Sequence, residues 1–528
     1  MVTRRQPGGA EPGRKVAVAE FLLMPTDQTT TTSLLAALAP DLRTALTRVG
    51  FDGDTILEVL GDEAHAALGR SEPVPVRRAV RDAGDLGVLI RLFLLGDTVP
   101  EREVAAALRP VELEHAIAAG LLDRDGGEIR TALDLRPIDL GNGTRWIMAD
   151  LDDSMRQRDA EIDHAIGVGQ ASLSLLRATP TRPVGTVLDL GTGCGVQAVH
   201  AASYGTSVTG TDVNKRALWL AEANAILNNL DIEFLEGSWF EPVAGRRFDQ
   251  VVANPPFVVG PAQVEHTYRD SGLALDGASE LVISGTPDLL NPGGTAAMLA
   301  SWIHVDGEDW RGRVSRWLPD YGVDAWIVQR DVADPALYVG TWLRDAGLDP
   351  RDPAAQDRAQ RWLAAFDAAN VEGIGFGFVY LRAIDGPTEL LAEDLTHGFD
   401  DPLGAETHRY FERSAWLRAV AADTEVAWSS RFEVDSATAL ERVYLPGAEG
   451  WEQRVTRLHR GDGPRWQHEV DETIAALLAG MRPDGLPLRE LVELLAFGQT
   501  GDTATPEFEA AALDVVMGLV RHGLIQPR

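Results

Sequence analysis

Apolar and polar residues change rhythm twice along this chain. Up to about residue 150 the apolar positions recur at helical spacing. Leu34, Leu35, Leu38 and Leu42 share one stripe, and Leu86–Leu95 forms a second. Val99–Leu108 and Pro110–Leu122 read as further helices, followed by a strand pair turned at Asp125-Gly126-Gly127 and a strand at Thr144–Asp150. From about 184, short apolar runs alternate with helical stretches. Thr186–Leu190, Ser207–Thr211, Ile232–Leu235, Phe248–Ala253 and Thr295–Ser301 read as parallel strands, and Val323–Gln329 and Ile374–Leu381 as strands closing the sheet with an antiparallel edge. After 383 the pattern blurs into a helix near Glu412–Ala422 and strands near Ser430–Val434 and Arg454–Leu458. Helices follow at Val470–Met481, Leu488–Phe497 and Phe508–His522.

These rhythms divide the chain into five parts. They are a disordered tail (1–30), a helical, winged-helix-like domain (31–155), a seven-stranded doubly wound α/β domain (156–385), a mixed region (386–467) and a second winged-helix-like helical module (468–528). Val16–Met24 follows basic residues as a signal peptide would, but Glu20 interrupts it. No apolar run reaches the roughly 18 residues of a membrane span. The single cysteine, Cys194, excludes an intrachain disulfide and fits a reducing cytoplasm.

Eighty acids against 48 basic residues give a net charge of −32. Such a surface repels phosphate backbones and anionic lipid, which argues against duplex DNA and membrane partners. The last module is itself acidic, with ten acids and four arginines from His468 onward, so the terminal modules are expected to dock a protein partner, assist dimerisation or cover the active site. Arg177–Arg182 and Arg311–Arg316 are the places where an RNA-facing patch would lie. His397, His408 and His459 show no metal-ligand spacing, and no metal is expected.

Two motifs carry chemistry. In Thr186-Val187-Leu188-Asp189-Leu190-Gly191-Thr192-Gly193-Cys194-Gly195 an apolar strand runs into glycines at alternate positions. Glycine lets the backbone turn sharply and approach a ligand, at the sheet edge where ligands sit. Gly210-Thr211-Asp212-Val213 ends the next strand, where an acid can accept hydrogen bonds from ribose hydroxyls. In Ala253-Asn254-Pro255-Pro256-Phe257 two prolines end a strand and stiffen a turn. There the Asn254 side-chain carbonyl and the Pro255 carbonyl can accept both hydrogens of a planar amine. Its lone pair then faces outward for in-line attack, with Phe257 stacked on the acceptor.

These residues resemble the class I S-adenosylmethionine-dependent methyltransferases, specifically the group that methylates planar nitrogens. The resemblance covers about residues 160–382. It implies S-adenosylmethionine as cofactor, with Asp189, Gly191, Gly193 and Gly195 under its methionine part. It further implies Asp212 at the ribose, Val213 beside it in the cofactor site, Ser238 and Trp239 at the adenine, and a wall near Gly167–Gly169. Asn254, Pro255, Pro256 and Phe257 would form the catalytic turn, with Asn254 also bordering the cofactor. Phe257 is similar to the ribosomal-RNA guanine-N2 branch. The Gly237–Phe257 run, Leu273–Ala278 and a loop with His266, Tyr268, Arg269 and Asp270 are similar to the release-factor glutamine branch. The expected acceptor is an exocyclic base amine of RNA. The alternatives are a glutamine amide of a translation protein and a small-molecule amine. From another class comes a cofactor-sensing regulator, against which the intact turn stands.

Overall fold

The computed structural model describes residues 28–140, 143–151, 163–262, 271–345, 348–395 and 403–528. The expected tail through residue 27 and the residues His266, Tyr268, Arg269, Asp270 and His397 lie outside the described residues.

The centre is a sheet of β1 (Val184–Leu190), β2 (Gly205–Asp212), β3 (Glu233–Glu236), β4 (Phe248–Ala253), β5 (Leu290–Val305), β6 (Tyr321–Ala333), β7 (Val371–Pro387) and β8 (Glu389–Asp394). The strand order is β8-β6-β7-β5-β4-β1-β2-β3. All strands run parallel except β7, which pairs antiparallel with both β5 and β6. The expected antiparallel edge is therefore an interior strand. The expected seven strands are eight among the described residues. After Pro387 the chain turns back and lays Glu389–Asp394 beside β6, a strand the pattern hides because acids flank its two leucines. Val187–Leu190 and Val251–Ala253 are buried throughout, as parallel strands covered on both faces must be.

α1 (Gln170–Ala178), α2 (Val196–Ala201) and α3 (Lys215–Leu227) cover part of this sheet. Before them come the helices Gln28–Val49, Gly53–Gly69, Pro73–Ala79 and Gly84–Leu89. A three-stranded sheet of Val99–Pro100, Glu128–Thr131 and Leu122–Asp125 encloses two short helices in sequence, Glu101–Ala107 and Leu113–Ala118. A hairpin, Leu133–Asp139 with Thr144–Asp150, leads towards the central sheet. One hydrophobic core runs from Leu35 and Leu42 through Leu135 and Met148 to Leu220 and Leu227 on α3.

Two asparagines four residues apart, Asn224 on α3 and Asn228 at its C-cap, dock the hairpin. Asn224 accepts from the Met148 amide and donates to the Met148 carbonyl, both at 2.8 Å. Asn228 does the same at Trp146, at 3.0 and 2.7 Å. The two side chains act as peptide groups added to the strand's outer edge, satisfying backbone that would otherwise be buried unpaired.

Helix α4 (Leu403–Ala422) packs on the far part of the sheet, where Tyr410 stacks on Trp326 at 4.7 Å. Gly404 permits its approach to α1, since a Cβ there would lie 2.2 Å from the Thr179 carbonyl. Glu406, fully buried on α4, meets Arg409 at 3.1 Å, Arg460 at 3.2 Å and Arg413. The strand Phe432–Val434 pairs with Ile525–Pro527 and ties the chain's last residues to this region.

Removing one partner of a buried ion cluster leaves charges uncompensated. Glu406→Gln should therefore lower unfolding free energy in urea by roughly 3–5 kcal/mol. An unchanged midpoint would show that Asp462, 2.5 Å from Arg460, compensates alone.

Candidate active site

The carboxyl ends of β1, β2 and β4 meet around a cavity of about 270 Å³. Gly191 and Gly193 form one side, and Asn254, Pro255 and Pro256 another. Asp212, Val213, Ser238 and Trp239 line it as well. The structure thus brings together nine residues singled out from the sequence. Asp189, Gly195 and Phe257 are not part of the lining, and each has a different place.

Asp189 is 1% exposed and lies beneath the loop. Its Oδ2 accepts from the Thr192 hydroxyl at 2.5 Å and the Ala198 amide at 2.9 Å, so it fastens both flanks of the glycine turn. Its Oδ1 has no partner among the described residues. Burial pushes its carboxyl up to about 7, against the two hydrogen bonds that favour the charged form. Gly195 adopts φ +87°, and a Cβ there would meet the Ala221 Cβ at 3.1 Å. It lets α2 start close against α3. Phe257 packs on Phe376, ring centres 5.3 Å apart, and the Arg330 guanidinium covers Phe376 at 4.6 Å.

Asp212 faces the cavity while gripping the loop. Its Oδ2 accepts from the Gly193 amide and its Oδ1 from the Asn214 amide, both at 2.8 Å. Burial raises its pKa while these amides oppose the rise. Each oxygen keeps acceptor capacity, so a diol can still be bound. The Asn254 Nδ2 points to Ser172 Oγ at 3.5 Å, which orients the side-chain amide by its donor end. Its Oδ1 has no hydrogen-bond partner among the described residues.

Several lining residues escaped the sequence reading. His164, Ala165 and Ile166 line the cavity, whereas the neighbouring Gly167–Gly169 do not. Asp150 holds that segment. Its carboxylate accepts from the Ala165 amide at 2.8 Å, binds Arg216 on α3 and lies 3.7 Å from His164 Nδ1. Asn214 caps α3 and donates to the Asp163 carbonyl at 2.8 Å. No local motif marks these residues, because their partners are distant in sequence. The Leu273–Ala278 run is structural in part. Asp276 is 3% exposed, accepts from the Ile303 amide at 3.0 Å and takes Arg313 at 2.7 and 2.8 Å. Arg311 is committed to Asp394 and Arg316 to Glu308, so the Arg311–Arg316 group is largely neutralised. A wider cleft, about 830 Å³, opens among the amino-terminal helices, where Arg77 and Arg91 both engage Asp97.

Residues 160–296 match the methyltransferase small domain. This matched stretch contains both the glycine turn and the Asn254 turn, so that part of the chain is similar to methyltransferases. A release factor glutamine methyltransferase of Geobacter sulfurreducens is 36% identical over 132 residues, covering 23% of this chain and 44% of the relative. One of Yersinia pestis is 34% identical over 186 residues, covering 33% and 63%. The chain thus spans less than two thirds of either relative. A 16S rRNA N2 methyltransferase of T. thermophilus, solved with AdoMet and guanosine, aligns over 38% of this chain and 54% of that one. It is 20% identical, with a TM-score of 0.26, too low to bear on the acceptor. Two domain families of unknown function match the flanks, at 48–132 and 408–527.

Asp189 makes stability depend on pH. Its folded pKa of about 7 lies above the ordinary 3.8. Between these values the native state keeps a proton that the unfolded chain releases, so stability falls as pH rises through that window. Asp189→Asn should flatten this slope, measured as urea midpoints from pH 4.5 to 8. An unchanged slope would place the titrating group elsewhere.

Proposed function

We propose that the protein transfers a methyl group from S-adenosylmethionine to a planar nitrogen. The observation that carries this reading is the position of Asn254, rigid beside the glycine-loop cavity with its side-chain carbonyl open. The cofactor's methionine part would lie over Gly191–Gly193, its ribose against Asp212 and its adenine between Val213, Ser238 and Trp239. The sulfonium supplies an electrophilic methyl group without help from a metal. The chain's own part is to hold the acceptor. Asn254 Oδ1 and the Pro255 carbonyl take the amine's two hydrogens, and its lone pair is left in line with the methyl group. As attack proceeds the nitrogen becomes more acidic and these bonds strengthen, which favours the transition state over the ground state.

As acceptor we favour an exocyclic base amine of RNA. Beside Asn254 lies an aromatic pair, Phe257 and Phe376, covered by the Arg330 guanidinium, which is itself paired with Asp331, and such rings suit a stacked base. The second reading, a glutamine amide in a translation protein, is favoured by the names of the sequence relatives and by the net charge of −32. The strand–helix–helix–hairpin order at Val99–Thr131 supports a winged-helix-like amino-terminal module. We assign this module and the acidic carboxyl-terminal one to protein contacts in the cytoplasm.

Asn254→Ala should abolish turnover while changing S-adenosylhomocysteine affinity by less than about twofold, because Asn254 engages the acceptor more than the cofactor. Loss of both together would make Asn254 structural. Asp212→Ala should weaken cofactor binding first, since it removes the charged partner of the ribose and of the Gly193 amide. Tritiated S-adenosylmethionine incubated with lysate from cells lacking the gene identifies the acceptor. Label lost to RNase establishes the RNA reading, and label lost to protease the glutamine reading.

A further inference from the structure

We infer that Asn224 is a positioning residue of the cofactor site, through which the amino-terminal domain holds the glycine loop. The inference rests on reading that loop as the cofactor's seat.

Asn224 is fully buried on α3 and uses its whole amide. Its Oδ1 receives the Met148 amide, and its Nδ2 donates one hydrogen to the Met148 carbonyl and the other to the Cys194 carbonyl, each at 2.8 Å. Cys194 sits between Gly193 and Gly195, whose φ angles of +55° and +87° are left-handed. Its carbonyl is therefore an anchor within the turn that must stay shaped for a ligand. One planar group thus joins the amino-terminal hairpin directly to the cofactor loop. Two residues further along the same strand, Asp150 reaches the other side of the cavity by accepting from the Ala165 amide. Met148 supports the cavity's floor and Asp150 its wall, so the strand Thr144–Asp150 belongs to the site although none of its residues lines it.

Asn228 supplies the control. It makes the same two bonds, to Trp146, but its remaining donor goes to the Asn224 carbonyl within the helix. It docks the domain without touching the loop.

The test is calorimetric titration of S-adenosylhomocysteine into the full chain, with melting temperatures measured beside it. Asn224→Ala and Asn228→Ala should lower the melting temperature to similar degrees. Only Asn224→Ala should weaken binding, by about fivefold, the worth of one buried hydrogen bond. Equal losses of affinity in the two variants, or none in Asn224→Ala, would overturn the inference. Should Asn224→Ala not fold, hydrogen exchange on the wild type decides. Saturating S-adenosylhomocysteine should slow exchange in peptides covering Thr144–Asp150 as well as in the loop, and protection confined to the loop would overturn it. A wild type that binds no S-adenosylhomocysteine would instead overturn the reading of the site itself.

Discussion

The open edge of the central sheet depends on one buried carboxylate. Asp189 takes a hydroxyl from one side of the glycine turn and an amide from the other, and so closes a loop that glycines alone would leave loose. The cost is visible in its raised pKa and in an oxygen without a partner among the described residues. A carboxylate so placed is poor material for stability. A buried carboxylate beneath an open turn is a conflict of the kind that functional sites commonly carry. Asp212 performs the complementary task from the next strand, gripping the Gly193 amide while still facing the cavity.

The parts legible in the sequence were those whose reasons are local. β1, β2, β4 and β5 announce themselves as apolar runs, and the glycine and proline turns sit at their ends because those residues alone tolerate the required backbone. The nine lining residues foreseen lie in or just beyond the carboxyl ends of β1, β2, β3 and β4. What stayed hidden depends on partners far away. Nothing near Asp150 shows that it will hold Ala165 and Arg216, and nothing near Asn224 shows that it will pair with Met148. Asp189 and Gly195 belong to the loop's sequence motif, and their neighbours show that they shape it from below. Phe257 likewise has its partner, Phe376, on β7, more than a hundred residues on.

Domain divisions drawn from composition also look different once packing is known. The first core ignores the change of rhythm near residue 155, since the same cluster includes Leu42 and Leu220. At the other end, Tyr410 and Trp466 join Trp326 and Tyr380 in a single aromatic stack against the sheet. Buried charge reinforces that junction, because Arg460 and Arg413 from different elements meet at Glu406. The amino-terminal region and α4 with Trp466 share the central domain's cores and so stiffen the sheet, whereas the last helices pack around a core of their own.

The interior position of β7 bears on how the chain is made. Among the described residues β6 pairs only with β7 and β8, both of which follow it in sequence. On a ribosome β6 emerges as an apolar strand with neither hydrogen-bonding neighbour yet synthesised. β5 waits in the same way with one edge unpaired, since its second partner is also β7. Unpaired apolar edges invite wrong partners. The intervening helices Pro335–Asp345 and Pro353–Ala368 emerge before β7 and pack with Ile303 on β5. They can shield that edge until the antiparallel strand arrives to close the sheet.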